Sequence, residues 1–223
     1  MKISVAIDGP AAAGKSTIAK KVAKILGYTY IDTGAMYRAF TYFVIKKGID
    51  PKDETKACSV IPEVEIILTP EDRVLVNGED VTREIREPYI SQNVSFIASY
   101  KAIRLALVEQ QRKMAKRVSV IMDGRDIGTY VLPKADVKIF QVASVHTRAI
   151  RRYEENLEKG IPCTLDQIEE ELVRRDYIDS HRDFAPLKQA PDAILIDTSL
   201  MSIEEVVIRV LEIIRQKLGG IIQ

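Results

Sequence analysis

Gly9-Pro10-Ala11-Ala12-Ala13-Gly14-Lys15-Ser16 lies between the apolar run Ile3–Ile7 and a stretch whose apolar positions recur at helical spacing: Ile18, Ala19, Val22, Ala23, Ile25 and Leu26. The uninterrupted run predicts a strand buried on both faces, and Gly27 supplies the stop for the predicted helix. The residues between them fit G-x-x-x-x-G-K-[ST] in the strand–loop–helix setting that this motif requires. Glycines let the backbone wrap closely around phosphate oxygens, and consecutive N–H groups at a helix start point into the loop. Lys15 offers a cation to the β- and γ-phosphates, and the Ser16 hydroxyl offers a ligand to Mg²⁺. The stretch is therefore expected to bind a nucleoside triphosphate.

Working outward, short apolar strands are predicted at Tyr28–Ile31, Val118–Met122, Val137–Gln141 and Ala193–Ile196. Helical sequence separates them, including a helix from about Ala35 to Lys47 closed by Gly48. Thr164-x-x-Gln167 and Ser202-x-x-Glu205 are capping boxes that open two later helices. Five strands alternating with helices predict an α/β fold with a five-stranded parallel sheet flanked by helices. Val64–Leu68 and Arg73–Val76 break the rhythm by alternating with polar residues, and Asn77-Gly78 is a hairpin signal. A small inserted subdomain with antiparallel strands is expected at about 60–100, within one domain spanning 1–223. A second irregular segment, Asn156–Thr164, separates two charged helices.

Composition narrows the function. Of 223 residues, 33 are Lys or Arg and 32 Asp or Glu, for a net charge of +1, while 46% are hydrophobic. Such a chain is neither disordered nor surrounded by a field that attracts nucleic acid or an anionic membrane. Any anionic ligand must be caught locally. The one dense basic run, Arg112-Lys113-Met114-Ala115-Lys116-Arg117, reads as a solvated helix end meeting the C-terminal dipole. No N-K-x-D guanine-reading tetrapeptide occurs. Cys58 and Cys163 stand far apart and read as reduced, inert thiols, and His146 and His181 as surface or helix residues. No apolar run approaches the roughly 20 residues that span a bilayer. Asp8 interrupts the apolar start, which argues against an export signal, so a cytoplasmic location is expected.

Arginines cluster beside small polar residues at predicted strand ends. Asp32-Thr33-Gly34-Ala35-Met36-Tyr37-Arg38 follows the second strand, and Asp123-Gly124-Arg125-Asp126 follows the third. Ligands of open α/β sheets bind outside the carboxyl ends of strands, where both segments would lie. Arg175-Asp176-x-x-Asp179-x-x-Arg182 repeats at helical spacing. That pattern is either an intrahelical salt-bridge ladder or part of a site for a second anion. With two other arginine-bearing loops present, an acceptor carrying phosphate explains it better. Asp123 either orients Mg²⁺ through water or caps the turn after its strand. Phosphoryl transfer of this kind relies on positioning and charge stabilisation, so no nucleophilic triad is needed.

Together with Gly9–Thr17 and Asp123-Gly124-Arg125-Asp126-Ile127-Gly128, these segments resemble the bacterial cytidylate kinases, a family of P-loop nucleoside monophosphate kinases. The likeness runs from Met1 to about Gln216 and covers the long insert. It implies transfer of the γ-phosphoryl of ATP to CMP or dCMP, with ATP held by Gly9, Pro10, Ala11, Ala12, Ala13, Gly14, Lys15, Ser16 and Thr17. Arg38, Arg125 and Arg182 would bind the acceptor phosphate, and Lys15, Arg125 and Arg182 would carry the catalytic charge stabilisation. Thr33 would contact the nucleotide, Ser95, Arg104 and Asp126 would read the cytosine edge, and Arg175 and Asp179 would contact the sugar. Asp126 has a competing role, holding Arg125 in a local ion pair. Arg148, Arg151 and Arg152 would belong to a lid at about 148–165. A monomer acting on small nucleotides, without nucleic acid or membrane partners, is expected. The alternatives are another small-molecule or nucleoside monophosphate kinase on this fold, and a non-catalytic P-loop switch.

Overall fold

A computed structural model describes residues 2–158 and 160–219, so Lys159, within the expected lid, and both chain ends lie outside the described residues. In chain order the elements are β1 (Ser4–Asp8), α1 (Lys15–Leu26), β2 (Thr29–Asp32), α2 (Thr33–Lys46) and α3 (Glu54–Ser59). Next come β3 (Ile66–Leu68), β4 (Val74–Val76), β5 (Glu79–Asp80), α4 (Pro88–Ser99) and α5 (Lys101–Ala115). The chain continues with β6 (Val120–Gly124), β7 (Val137–Val142), α6 (Val145–Glu158), α7 (Leu165–His181), β8 (Ile194–Asp197) and α8 (Ile203–Lys217). A π-helical turn over Ile127–Val131 joins β6 to the segment before β7.

The main sheet has the order β2-β6-β1-β7-β8 and every pairing in it is parallel. Side chains alternate across it as the pleat requires. Val5, Ile7, Ile121 and Ile139 pack with α1 and α8, whereas Ala6, Val120 and Met122 pack with Val108 of α5 and with Ile127. The register aligns Asp8 with Gly124 and Asp32 with Asp123, so the carboxyl ends of β1, β2 and β6 lie level. The strands sit within two residues of their predicted positions, as expected where apolar runs alone define them. Both capping boxes form as predicted.

The small sheet β3-β4-β5 is antiparallel. Asn77 and Gly78 adopt φ of 50° and 83°, the two positive values a type I′ turn needs, and they join β4 to β5. Its core is larger than the sheet itself: Met36, Phe40 and Val44 of α2, Ala57 of α3, Ile97 of α4, and Ile103 and Leu107 of α5 pack with Ile66, Val74 and Val76. A fourth apolar cluster joins Ala11 of the Gly9–Ser16 loop to Ala149 of α6 and to Ile168 and Leu172 of α7. Cys58 and Cys163 are both free. No helix among the described residues is long and apolar enough to cross a membrane.

Candidate active site

A cleft of about 700 Å³ opens at the carboxyl ends of β1, β2 and β6, roofed by α4 on one side and by α6 and α7 on the other. Its volume suits a nucleotide-sized ligand. Gly9 starts the loop beside it: φ is +151°, and a Cβ there would stand 1.9 Å from the backbone oxygen of Gln141. Only glycine permits that approach of β1 to β7. Two of the loop carbonyls are held by side-chain donors from β7 and α6. Ala11 O accepts from Arg148 Nη1 at 2.9 Å and Ala13 O from the Gln141 amide at 2.5 Å. Lys15 reaches back to Pro10 O at 2.6 Å. Ala12 holds a φ of 56°, rare for a residue with a Cβ.

Burial, followed by the nearby Arg125 charge, lowers the Lys15 ammonium to about 7, against the opposing pull of Asp123 and Asp8. Asp123 moves the other way: burial and then Asp32 raise its carboxyl to about 6. Its two oxygens accept from Ser16 Oγ at 2.9 Å and from Tyr30 Oη at 2.8 Å. Of the two readings for Asp123, its contact with Ser16 supports a role beside the phosphate loop; the following turn is instead held by Asp8. Asp8 accepts from the N–H groups of Ile127 and Gly128 at 2.8 and 2.7 Å.

Arginines of the cleft pair with carboxylates, some within their own segment and some from other elements. Arg125 Nε lies 2.8 Å from Asp179 of α7, and Arg38 lies 3.1 Å from Asp32. Asp126 is fully buried between Arg104 at 2.5 Å and Arg182 at 3.3 Å. These pairs rule out two competing readings. Asp126 does not hold Arg125, because Asp179 takes that guanidinium. Asp176 and Asp179 do not form a ladder within their own helix, because each faces an arginine from another element. Burial opposes ionisation of Asp179, yet Arg125, Arg175 and Arg182 outweigh it and hold the carboxyl below its ordinary value. The basic run after Leu107 is also more engaged than a solvated helix end, since Arg112 donates to the carbonyls of Val131 and Tyr130.

Several residues that line this cleft carry a buried polar atom with no hydrogen-bond partner among the described residues: Arg38 Nε, Arg104 Nε, Arg175 Nε and Tyr37 Oη. Burial, followed by Arg125, lowers the Arg175 guanidinium to about 10. Thr33 opens α2 and donates to Asp123 O at 2.6 Å, while Ser95 lines the cleft from α4. Arg151 donates to Thr198 O at 2.7 Å and, with Arg152, borders the loop mouth. Arg148 lies elsewhere, buried beneath the loop and paired with Asp176 at 2.6 Å.

Some lining residues escaped sequence reasoning. Tyr37 sits inside the Asp32–Arg38 motif, and the Arg104 guanidinium lies 5.3 Å from its ring centroid, so the motif itself was the available signal. Gln141, Thr198, Met201, Ile203 and Val206 also line the cleft, brought there by the parallel placement of β7 and β8 beside β1. His146 pairs with Glu169 on the surface and His181 stacks on Tyr177, both away from the cleft.

The family model for cytidylate kinase matches residues 5–216. The chain is 52% identical over 222 residues to the cytidylate kinase of Anoxybacillus flavithermus, covering 98% of this chain and 99% of that protein. It is 50% identical over 219 residues to the cytidylate kinase of Bacillus subtilis, covering 97% and 98%. Among solved structures it is similar to an uncharacterized protein from Eubacterium ventriosum, with a TM-score of 0.54 at 12% identity and coverage of 95% and 97%. That last likeness concerns the fold alone.

Proposed function

The chain belongs to the cytidylate kinase family, and from that premise we propose how its cleft moves the γ-phosphoryl of ATP to CMP or dCMP, giving ADP and CDP or dCDP. The observation that carries the reading is that three arginines lining the cleft beside the phosphate loop, Arg38, Arg104 and Arg175, each keep a buried Nε–H without a partner among the described residues. Unpaired buried donors are expensive, and only an anionic, acceptor-rich ligand satisfies several at once.

With the carbonyls of Ala11 and Ala13 taken up by Arg148 and Gln141 and the Ala11 amide by Asp176, the amides from Ala12 to Thr17 are left to hold the triphosphate of ATP. Beyond Gly14 the cleft continues to Met201, Ile203 and Val206, an apolar end suited to the adenine. Lys15 leaves Pro10 O for the transferring group, whose negative charge favours its protonated form. Arg38, Arg125 and Arg182 grip the acceptor phosphate, already pre-oriented by Asp32, Asp179 and Asp126. In-line approach is then a matter of positioning two polyanions whose repulsion the guanidiniums offset. Arg175 and Asp179 face the sugar. Ser95, Arg104 and Asp126 read the cytosine: Asp126 accepts from N4, and the free Nε of Arg104 donates to N3. Arg151 and Arg152 close over the phosphates from α6, and Thr33 fixes the floor of the acceptor side.

Ser16 and Asp123 fit Mg²⁺ as hard oxygen donors 2.9 Å apart. When bound, Mg²⁺ supplies charge neutralisation between the β- and γ-phosphates. The reading is of a monomer working in the cytoplasm. A coupled assay for ADP release, comparing CMP, dCMP, UMP, AMP and no acceptor, tests it. Turnover dependent on CMP or dCMP is expected. A preference for another acceptor would mean a different kinase, and acceptor-independent behaviour would mean a nucleotide switch.

A further inference from the structure

We infer that Asp176 and Arg148 are positioning residues that couple acceptor binding to the geometry of the donor loop through the peptide of Ala11. The inference rests on the kinase reading above. Both polar groups of that one residue are gripped: its N–H donates to Asp176 Oδ1 at 3.1 Å, and its C=O accepts from Arg148 Nη1 at 2.9 Å. Arg148 and Asp176 close the ring at 2.6 Å, and Arg148 Nε is anchored on Ala143 O at 3.0 Å. The Ala11 methyl is buried in the cluster that joins α6 to α7. In packing, the start of the phosphate loop is therefore part of the α6–α7 pair.

The same helix reaches the acceptor side. One turn after Asp176, on the same face, Asp179 holds Arg125, and Arg182 at the helix end holds Asp126. A ligand that draws Arg125 and Arg182 toward its phosphate must act on α7, and α7 carries Asp176 with it. The next loop residue, Ala12, sits at a φ of 56°, a conformation that persists for a residue with a Cβ only where its surroundings over-determine it. The grip on Ala11 is such a constraint. Shifting it by a small amount re-aims the amides that follow.

The test is a thermodynamic cycle on the full chain: calorimetric Kd of ADP with and without saturating CMP, for wild type, Asp176→Ala, Arg148→Ala and the double variant. Wild type is expected to show a coupling factor of about fivefold or more. Each single variant should bring that factor to within about twofold of unity, and the double should go no further, since both act on one peptide. Kd for CMP alone should stay within about threefold of wild type, because the acceptor arginines are untouched. Should Asp176→Ala fail to fold, Asp176→Asn keeps an acceptor for the Ala11 amide, loses the charge facing Arg148, and is read the same way. A wild-type factor near unity overturns the inference. So does a variant whose ADP affinity falls while the coupling stays intact, for that is what a purely structural strut would do. CMP-dependent turnover of the wild type, measured on the same preparation, separates failure of this inference from failure of the kinase reading.

Discussion

Asp126→Asn changes one oxygen to an amide and removes the negative charge from between two buried guanidiniums. Arg104 is 1% exposed, and Arg182 approaches the same carboxylate from the other side at 3.3 Å. At the effective dielectric near 20 that suits such sites, each attraction is on the order of 4 kcal/mol. The cost of burying the carboxylate offsets much of this, so breaking the arrangement is expected to destabilise by about 3–5 kcal/mol. For a chain of this length the melting temperature should fall by roughly 6–20 °C. The base-reading role predicts a separate effect. The amide of asparagine presents a donor where cytosine N4 needs an acceptor and uracil O4 welcomes a donor. The ratio of kcat/KM for CMP over UMP should therefore narrow by on the order of tenfold or more, chiefly through loss on CMP. Thermal unfolding by circular dichroism and steady-state kinetics with both acceptors, run on one preparation, read the two effects independently. Equal losses on CMP and UMP would show that Asp126 only organises Arg104 and Arg182, and the base-reading assignment would have to be dropped.

Replacing Arg38, Arg125 or Arg182 by Lys keeps the charge but loses the planar fork, so KM for CMP should rise about tenfold while KM for ATP moves much less; equal shifts in both constants would refute their acceptor role. Gly9→Ala places a Cβ 1.9 Å from a backbone oxygen that has no room to yield, and should destabilise by at least about 2 kcal/mol, lowering the melting temperature and ATP affinity together; a wild-type melting curve would contradict the β1–β7 juxtaposition. Burial raises the Asp8 carboxyl from 3.8 to about 7, with its two backbone hydrogen bonds opposing the shift. The native state thus holds a proton that the unfolded chain has lost between these values, and stability should fall as pH rises from about 4 to about 7. Asp8→Asn should flatten that slope, which amounts to on the order of 4 kcal/mol across the window; parallel melting-temperature profiles for variant and wild type would refute it.

What the sequence determined alone is what depends on neighbours a few residues apart. Gly9–Ser16 between an apolar run and a helical period specified the phosphate loop, since backbone conformation and amide direction are local matters. Asn77-Gly78 specified its turn because few residues accept two positive φ values, and Thr164 and Ser202 specified helix starts because a cap reaches only three residues ahead. The same locality explains what was missed. Arg125 meets Asp179 across 54 residues, Arg182 meets Asp126 across 56, and Asp176 meets Ala11 across 165. Each arginine had several acidic partners within reach by sequence pattern, and only the sheet order β2-β6-β1-β7-β8 with α7 laid over it selects among them. Arg148 illustrates the limit. Its place beside Arg151 and Arg152 marks it as one more cation of a lid, yet helical phase turns it inward, where burial leaves a charge no stable state but a fully paired one. Ionic partners in a folded chain are chosen by desolvation, and desolvation is a property of the tertiary structure.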